Sequence, residues 1–261
     1  RGPYRVLLDL SGAEAAEALM PAAEKLPFVQ QFRLLDPGRV VLYVDELVPF
    51  TVRALTDPDR LQIVFARDRL AGKRIVVDPG HGGKDCGARG SFLLEKDVNL
   101  DMAKRTVVGL AALGARPFLT RDADFFVDPY ARPRMANELP ADLFVSIHCN
   151  ATGSGWRGSG TGTYYYRARS KGLAVVMQDT LVPKLASRDY GVHCENFCVT
   201  RETNMPAILI ETLFIDNRTE EKLLAQPQFR QQLADGVCEG LRRYLEGTKS
   251  VPPATLVEPS G

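Results

Sequence analysis

From Lys73 to Glu246 the sequence alternates short, continuous apolar runs with longer segments of helical period, and this alternation most restricts the fold. Arg74–Val77 (RIVV), Leu143–His148 (LFVSIH) and Ala207–Glu211 (AILIE) carry apolar side chains at consecutive positions. A strand reads this way when both of its faces are covered, as in a parallel sheet flanked by helices. Between and after these runs the period changes. Asp97–Leu113 is expected to be a helix, with Asp97 as N-cap, Gly114 just beyond its end, and an apolar stripe of Leu100, Ala103, Val107, Leu110 and Ala111. Arg116–Thr120 and Thr163–Tyr166 read as strands, Arg132–Leu139 as a short helix and Leu173–Leu185 as a longer one. Phe229, Leu233, Val237, Leu241 and Leu245 recur at four-residue steps in a last helix. The expected class is α/β: a twisted, mixed but mostly parallel sheet with helices on both faces, preceded by a small β-rich domain.

Residues 1–70 form that β-rich module. Arg5–Leu10, Arg39–Val44 and Arg60–Phe65 are β-branched and leucine-rich, and turn signals at Asp36-Pro37-Gly38 and Asp57-Pro58-Asp59 separate the runs. Ala13–Lys25, rich in Ala and Glu, reads as a helix. The second domain is expected over 73–246, and the proline-containing tail 247–261 is expected to be disordered. A formal net charge of +1 provides no basic field for nucleic acid, so none is expected as a partner. No run of about 18 apolar residues marks a transmembrane segment. The chain opens at Arg1 rather than Met, so an export signal ahead of it is expected to have been removed. Five cysteines leave at least one unpaired within a monomer. Cys194 and Cys198 are the pair considered for a disulfide; Cys149, following His148 on a strand, is expected to point to the opposite face.

Three of the apolar runs end in chemistry. Arg74–Val77 leads into Asp78-Pro79-Gly80-His81-Gly82-Gly83, Leu143–Ile147 ends at His148, and Ala207–Ile210 ends at Glu211. If the strands are parallel neighbours, the three side chains share one sheet edge, where open α/β sheets bind their ligands. Two histidines and one carboxylate suit a catalytic zinc, which keeps a fourth position for water. Glu95, after a Gly-rich loop and before a helix, is the candidate third ligand. Glu211 is the candidate general base, with burial raising its pKa. His193 is expected in an irregular stretch with a surface or structural role. Asn150 and Arg201 are candidate substrate contacts, and Tyr164–Tyr166 is weighed as a sugar-stacking strip against a core role.

The ordered set DPGHGG (78–83), GA (87–88), EKD (95–97), LTR (119–121), R-x-x-x-AN (132–137), ADLFVSIHCNA (141–151) and PAILIET (206–212) resembles the zinc-dependent N-acetylmuramoyl-L-alanine amidases of the amidase_3 family. The resemblance covers roughly 73–246. It implies zinc bound by His81, Glu95 and His148, with Glu211 catalytic. It also implies cleavage of the amide between N-acetylmuramic acid and L-alanine of the peptidoglycan stem peptide. The implied partner is peptidoglycan, the implied place the cell envelope, periplasm or exterior, and the implied roles are those of autolysins, such as cell division or wall turnover; the chain is expected to be a monomer. Residues 1–70 resemble, more weakly, a partial peptidoglycan-targeting module of the AMIN type. Departures are Leu213, where the family usually has Gly, and Cys86 and Cys149, where Pro or Ala is more usual. Leu213 is expected either to narrow the cleft or to repack. No long autoinhibitory helix is expected between His148 and Glu211, so the site should be uncovered. The alternatives are a catalytically weak peptidoglycan-binding adaptor and a zinc peptidase acting on the stem itself.

Overall fold

The apolar runs become the centre of a six-stranded sheet. The computed structural model describes residues 4–9, 29–36, 39–44, 50–56, 59–65, 69–153 and 158–247. The chain divides into two compact units, Arg1–Arg67 and Asp68–Gly261.

In the first unit β1 (Tyr4–Asp9), β2 (Val29–Asp36) and β3 (Arg39–Val44) form an antiparallel sheet in the order β1-β3-β2, and β4 (Phe50–Thr56) pairs antiparallel with β5 (Asp59–Phe65). β1, β3 and β5 are the runs expected from sequence. β2 and β4 were missed because VQQFRLLD and FTVRALT mix polar and apolar residues without a β-branched run. The expected helix over Ala13–Lys25 and the tail beyond Gly247 lie outside the described residues.

In the second unit the sheet contains β6 (Arg74–Pro79), β7 (Arg116–Leu119), β8 (Leu143–Asn150), β9 (Thr161–Tyr165), β10 (Asp189–Cys194) and β11 (Ala207–Phe214), in the order β10-β9-β11-β8-β6-β7. β7, β6, β8 and β11 run parallel, and β9 is antiparallel to β11, so the sheet is mixed as expected. The helices are α1 (Glu95–Ala112), α2 (Ala131–Glu138), α3 (Lys171–Leu185), α4 (Cys198–Arg201), α5 (Arg218–Leu224) and α6 (Pro227–Gly247).

Both sheet faces are covered. Ile75, Val77, Val145, Ile147, Ile208 and Ile210 pack in one core with Met102 of α1, Leu181 of α3 and Leu233, Val237 and Leu241 of α6. The alternate strand residues Val76, Phe144, Ala207 and Leu209 face a smaller core with Ala136 of α2 and Val199 of α4. The continuous runs therefore serve both sides of the sheet, two residues to a period.

Three expectations change. α1 begins two residues before Asp97: Leu94 is its N-cap, and Asp97 lies in the first turn beside Glu95. Its carboxylate still suits the positive end of the helix. The buried face of α1 is Val98, Asn99, Met102, Ala103, Thr106 and Leu110, with Leu100 only half-buried and Ala111 exposed. The apolar stripe misled because two polar residues, Asn99 and Thr106, are buried with satisfied side-chain donors. His193 lies on edge strand β10 rather than in an irregular stretch. Gly114 does follow the end of α1, at φ +79°.

α3 and α6 pack closely because α6 offers small residues. A Cβ on Gly240 would stand 2.7 Å from Met177 Sδ on α3. Gly240→Leu is expected to destabilise the protein by about 1–3 kcal/mol through overpacking. Urea unfolding checks this: an unchanged midpoint would mean that the helices yield freely at this contact.

Candidate active site

Parallel pairing brings the predicted residues together. Glu211 on β11 is the direct register partner of His148 on β8, and Pro79 on β6 pairs with Ile147 one position earlier. His81 follows two residues after Pro79, so it stands just past the same strand ends. His81, Glu95 and His148 each offer one ligand atom, all within 4.8 Å of one another.

The Glu95 carboxylate lies between the two imidazoles. Oε2 stands 3.2 Å from His81 Nε2, and Oε1 stands 2.9 Å from His148 Nδ1. The same carboxylate accepts from the backbone N–H of Ala88 and of Cys149 and from the Asn99 amide. Burial opposes its charge, but the His148 and His81 interactions outweigh that and hold its pKa well below the usual carboxylate range. His81 Nδ1 meets Asp85 Oδ2 at 2.8 Å, which orients the ring and turns Nε2 toward Glu95. Burial also opposes a charge on His81, but Glu95 and then Asp85 overcome it and raise the pKa to about 9. The rings of His81 and His148 meet edge to face at 4.9 Å.

Two glycines make this convergence possible. A Cβ on Gly80 would fall 2.1 Å from the His148 ring, and one on Gly87 2.5 Å from Glu95 Oε2. The His148 ring and the Glu95 carboxylate are held to each other and to the Ala88 and Cys149 N–H groups. His81 itself has φ +61°, a region uncommon for non-glycine residues, so the surrounding contacts must hold it there.

Two buried arginines do so. Arg121 donates to the carbonyls of Pro79, Gly80, Ala123 and Lys96. Arg132 donates to Asp78 and to the carbonyls of Pro79, His81 and Val127. Asp78 is fully buried; burial would raise its pKa, but Arg132, Ser146 and Thr120 together hold it low. Removing one member of such a buried pair typically costs about 3–5 kcal/mol. Arg121, Arg132 and Asp78 lie within the motifs at 119–121, 132–137 and 78–83, which by themselves give them no role, and Asp85 and Asn99 lie outside every motif. Asp85, four residues after His81, was the one with a usable signal.

Glu211 is the group left over. Its Oε2 is buried and has no hydrogen-bond partner. Burial, and then Glu95, raise its pKa to about 7, against the lowering effect of His148 and His81. The donor set of two imidazoles and a carboxylate, an oriented His81, and an unpartnered carboxyl oxygen beside them together fit a three-ligand metal site with a base next to it.

The remaining residues fall as follows. Asn150 ends β8; its Oδ1 accepts from the Ala151 N–H, and its side chain reaches the Tyr164 hydroxyl. Arg201 ends α4 and is turned to Glu202 and Asn196. Leu213 is buried in the larger core, so of its two expected outcomes the structure takes repacking. Cys149 is buried in that same core, on the opposite side from His148 as expected, and all five cysteines, including Cys194 and Cys198, are free thiols. The described helices between His148 and Glu211 are a 3-10 turn at Ala168–Ser170 and the helices α3 and α4, both packed on the sheet, and His81 and His148 keep 25% and 17% of their side-chain surface open.

This arrangement has many relatives. Residues 75–243 match the family model described as Amidase_3, N-acetylmuramoyl-L-alanine amidase. The N-acetylmuramoyl-L-alanine amidase LytC of Bacillus subtilis is 41% identical over 182 residues, 68% of this chain and 36% of that protein, so the chain spans about a third of that relative's length. The germination-specific amidase of the same organism is 34% identical over 206 residues, 70% of this chain and 84% of the relative. Among solved structures, the N-acetylmuramoyl-L-alanine amidase of Clostridium difficile 630 aligns with a TM-score of 0.66 at 36% identity, covering 68% of this chain and 99% of that one. The catalytic domain of CwlV from Bacillus (Paenibacillus) polymyxa aligns at 0.65 with 40% identity, over 67% and 98% of the two chains. With the shared sheet, the ordered motifs and a family match over most of its second unit, the chain belongs to the N-acetylmuramoyl-L-alanine amidase family.

Proposed function

We propose that this protein is a zinc-dependent peptidoglycan amidase of the cell envelope, cutting the bond between N-acetylmuramic acid and L-alanine of the stem peptide, with zinc held by His81, Glu95 and His148. The observation that carries the reading is the buried, unpartnered Glu211 carboxyl standing in register with His148 beside the three-ligand group. Bound there, zinc supplies Lewis acidity, lowering the pKa of a water and polarising the scissile carbonyl.

The chain's own residues do the rest. Glu211 Oε2 accepts a proton from the attacking water and delivers it to the amide nitrogen as the C–N bond breaks, so the amine leaves neutral. Its burial keeps the carboxyl basic enough for the first step and acidic enough for the second. Asp85 fixes the tautomer of His81 by holding Nδ1–H. Arg121 and Arg132 hold the 79–81 backbone that presents His81. The strand-rich unit ahead of Asp68 is read as a peptidoglycan-targeting module, supported by its antiparallel pairing and its weak resemblance to such modules. The adaptor reading drew on Leu213 and on the uncommon Cys86 and Cys149; Leu213 packs into the core and so gives it no support.

Glu211→Gln keeps the shape of the side chain and removes the base. It is expected to retain one zinc per chain while kcat on purified peptidoglycan falls roughly 10²–10⁴-fold. Mass spectrometry of the wild-type digest should show intact stem peptides beginning at L-alanine. Shortened stems would instead identify a peptidase, and no release by either protein would revive the adaptor.

Zinc binding should be coupled to protons. The metal-free His81 has a pKa raised to about 9, so below that pH the metal must displace a proton. Affinity therefore rises with pH up to about 9 and then levels. Calorimetry at pH 7 in buffers of different ionisation enthalpy measures the released proton; a buffer-independent heat contradicts the assignment of His81. Asp85→Asn is expected to weaken zinc about 10–100-fold while leaving the melting curve of the metal-free protein little changed. Unaltered zinc affinity in this variant would remove Asp85 from the metal's support.

A further inference from the structure

Beyond Glu211 the sheet continues for two more strands, which carry a partly exposed group of aromatic residues. In register, Glu211 on β11 faces Gly162 on β9, which faces Gly191 on β10; one step along, Leu209 faces Tyr164, which faces His193. A lane of glycine thus leads from the Glu211 carboxyl toward the sheet edge, and rings lie over it. A Cβ on Gly162 would meet Tyr190 Cδ1 at 3.1 Å and Tyr164 Cε2 at 3.3 Å, so glycine lets both rings settle close to the backbone. Tyr164 and His193 stack at 5.0 Å with 27° between planes. Tyr190 lies 5.5 Å from His193, and Phe197 meets Tyr164 edge to face at 5.5 Å. His193 is locked by its Nε2 contact to the Tyr190 carbonyl at 2.8 Å. Tyr190 and Phe197 remain 36% and 38% exposed. At the site end, the Tyr164 hydroxyl reaches Asn150, two residues from His148.

The surroundings of the rings bear on which half of the substrate they would meet. The anions that bear on Tyr164 are Glu211 and Glu195. The rings rather than the charges select the occupant, because an N-acetylated pyranose presents apolar C–H faces that stack on aromatic side chains. Arg201, beside Phe197, is turned to Glu202 and Asn196, so both signs of charge occur on this flank. Lys84, in the loop after β6, stands with Nζ 4.7 Å over the Phe126 ring, toward the β7 side of the sheet. The scissile amide joins sugar to peptide, so a bond held over Glu211 must send one half to each flank.

We propose that Tyr164, Tyr190, His193 and Phe197 form a sugar-stacking platform that binds the N-acetylmuramic acid side of the glycan, placing the stem peptide on the Lys84 flank. This rests on the amidase reading above and names which part of its substrate occupies which side. The platform is a specificity-determining surface and takes no part in proton transfer.

The test measures binding apart from turnover. Stem-free glycan oligosaccharides of alternating N-acetylglucosamine and N-acetylmuramic acid, with each lactyl carboxyl capped as its methyl amide to keep the sugar neutral, are titrated into the full chain carrying Glu211→Gln, followed by NMR or calorimetry. Adding Tyr190→Ala is expected to weaken this binding roughly three- to tenfold, the range for loss of one aromatic contact. Tyr190→Phe should restore it, because the stacking face is kept. Lys84→Ala should leave glycan binding intact and weaken binding of the free stem peptide. With the Glu211 side chain restored, Tyr190→Ala should raise KM on polymeric peptidoglycan more than it lowers kcat. Should Tyr190→Ala not fold, Phe197→Ala carries the same comparison. Glycan binding that is absent, or indifferent to both aromatic substitutions, overturns the platform even if the enzyme releases stem peptides normally. Platform-dependent glycan binding without any amide cleavage overturns the amidase reading and leaves the platform standing.

Discussion

The Glu95 carboxylate, buried between two imidazoles, is the interaction on which the rest of the site depends. A desolvated carboxylate is costly unless every lone pair is used. Here two backbone N–H groups, one amide and two ring nitrogens converge on it. Each partner sets a demand elsewhere. The Ala88 N–H requires the loop to fold back over the helix start. The Cys149 N–H requires β8 to end at that place in the sheet. Asn99 requires α1 to begin early enough for residues 95 and 99 to lie one turn apart on its buried face. The early start of α1 at Glu95 follows from this convergence.

The sheet supplies the second constraint. In a parallel ladder, neighbouring strands end side by side, so residues in register at the carboxyl edge stand about a strand spacing apart. His148 and Glu211 use that spacing. β9 then breaks the parallel run by pairing antiparallel with β11. Its aromatic residues are thereby carried alongside Glu211, and the flank beyond Glu211 acquires a ring-lined floor. The opposite flank, built from the loops after β6 and β7, carries exposed Phe125 and Phe126 beside Lys84 and is clamped by Arg121 and Arg132. The two sides thus differ in build, one resting on strands β9 and β10 and the other on the loops after β6 and β7.

Much of this was legible in the residues. Continuous apolar runs ending in His or Glu identified β6, β8 and β11 and the edge at which they meet. The glycines around His81 announced a backbone in close approach. What escaped had local reasons. β10 (DYGVHC) has two small or polar breaks and sits at an edge, where one face is solvated and apolar continuity is not required. α5 is seven residues long, too short to show a period. The stripe assigned to α1 was rotated because Asn99 and Thr106 are buried by hydrogen bonding, which hydrophobic periodicity does not register.

The sequence by itself determined the α/β class, the identity of the three ligand candidates and the carboxyl group beside them, since these depend on residue type and on periods of two and about four. Only the tertiary structure decided how they are held: Asp85 on His81, Asn99 on Glu95, and Arg121 and Arg132 on a loop whose His81 has positive φ. It also decided that Leu213 packs inward and that Tyr164, Tyr190 and His193 lie together beside Glu211. These are contacts between residues far apart along the chain or on different strands. Their existence depends on sheet order and register, and no local pattern of residues encodes which strand will stand next to which.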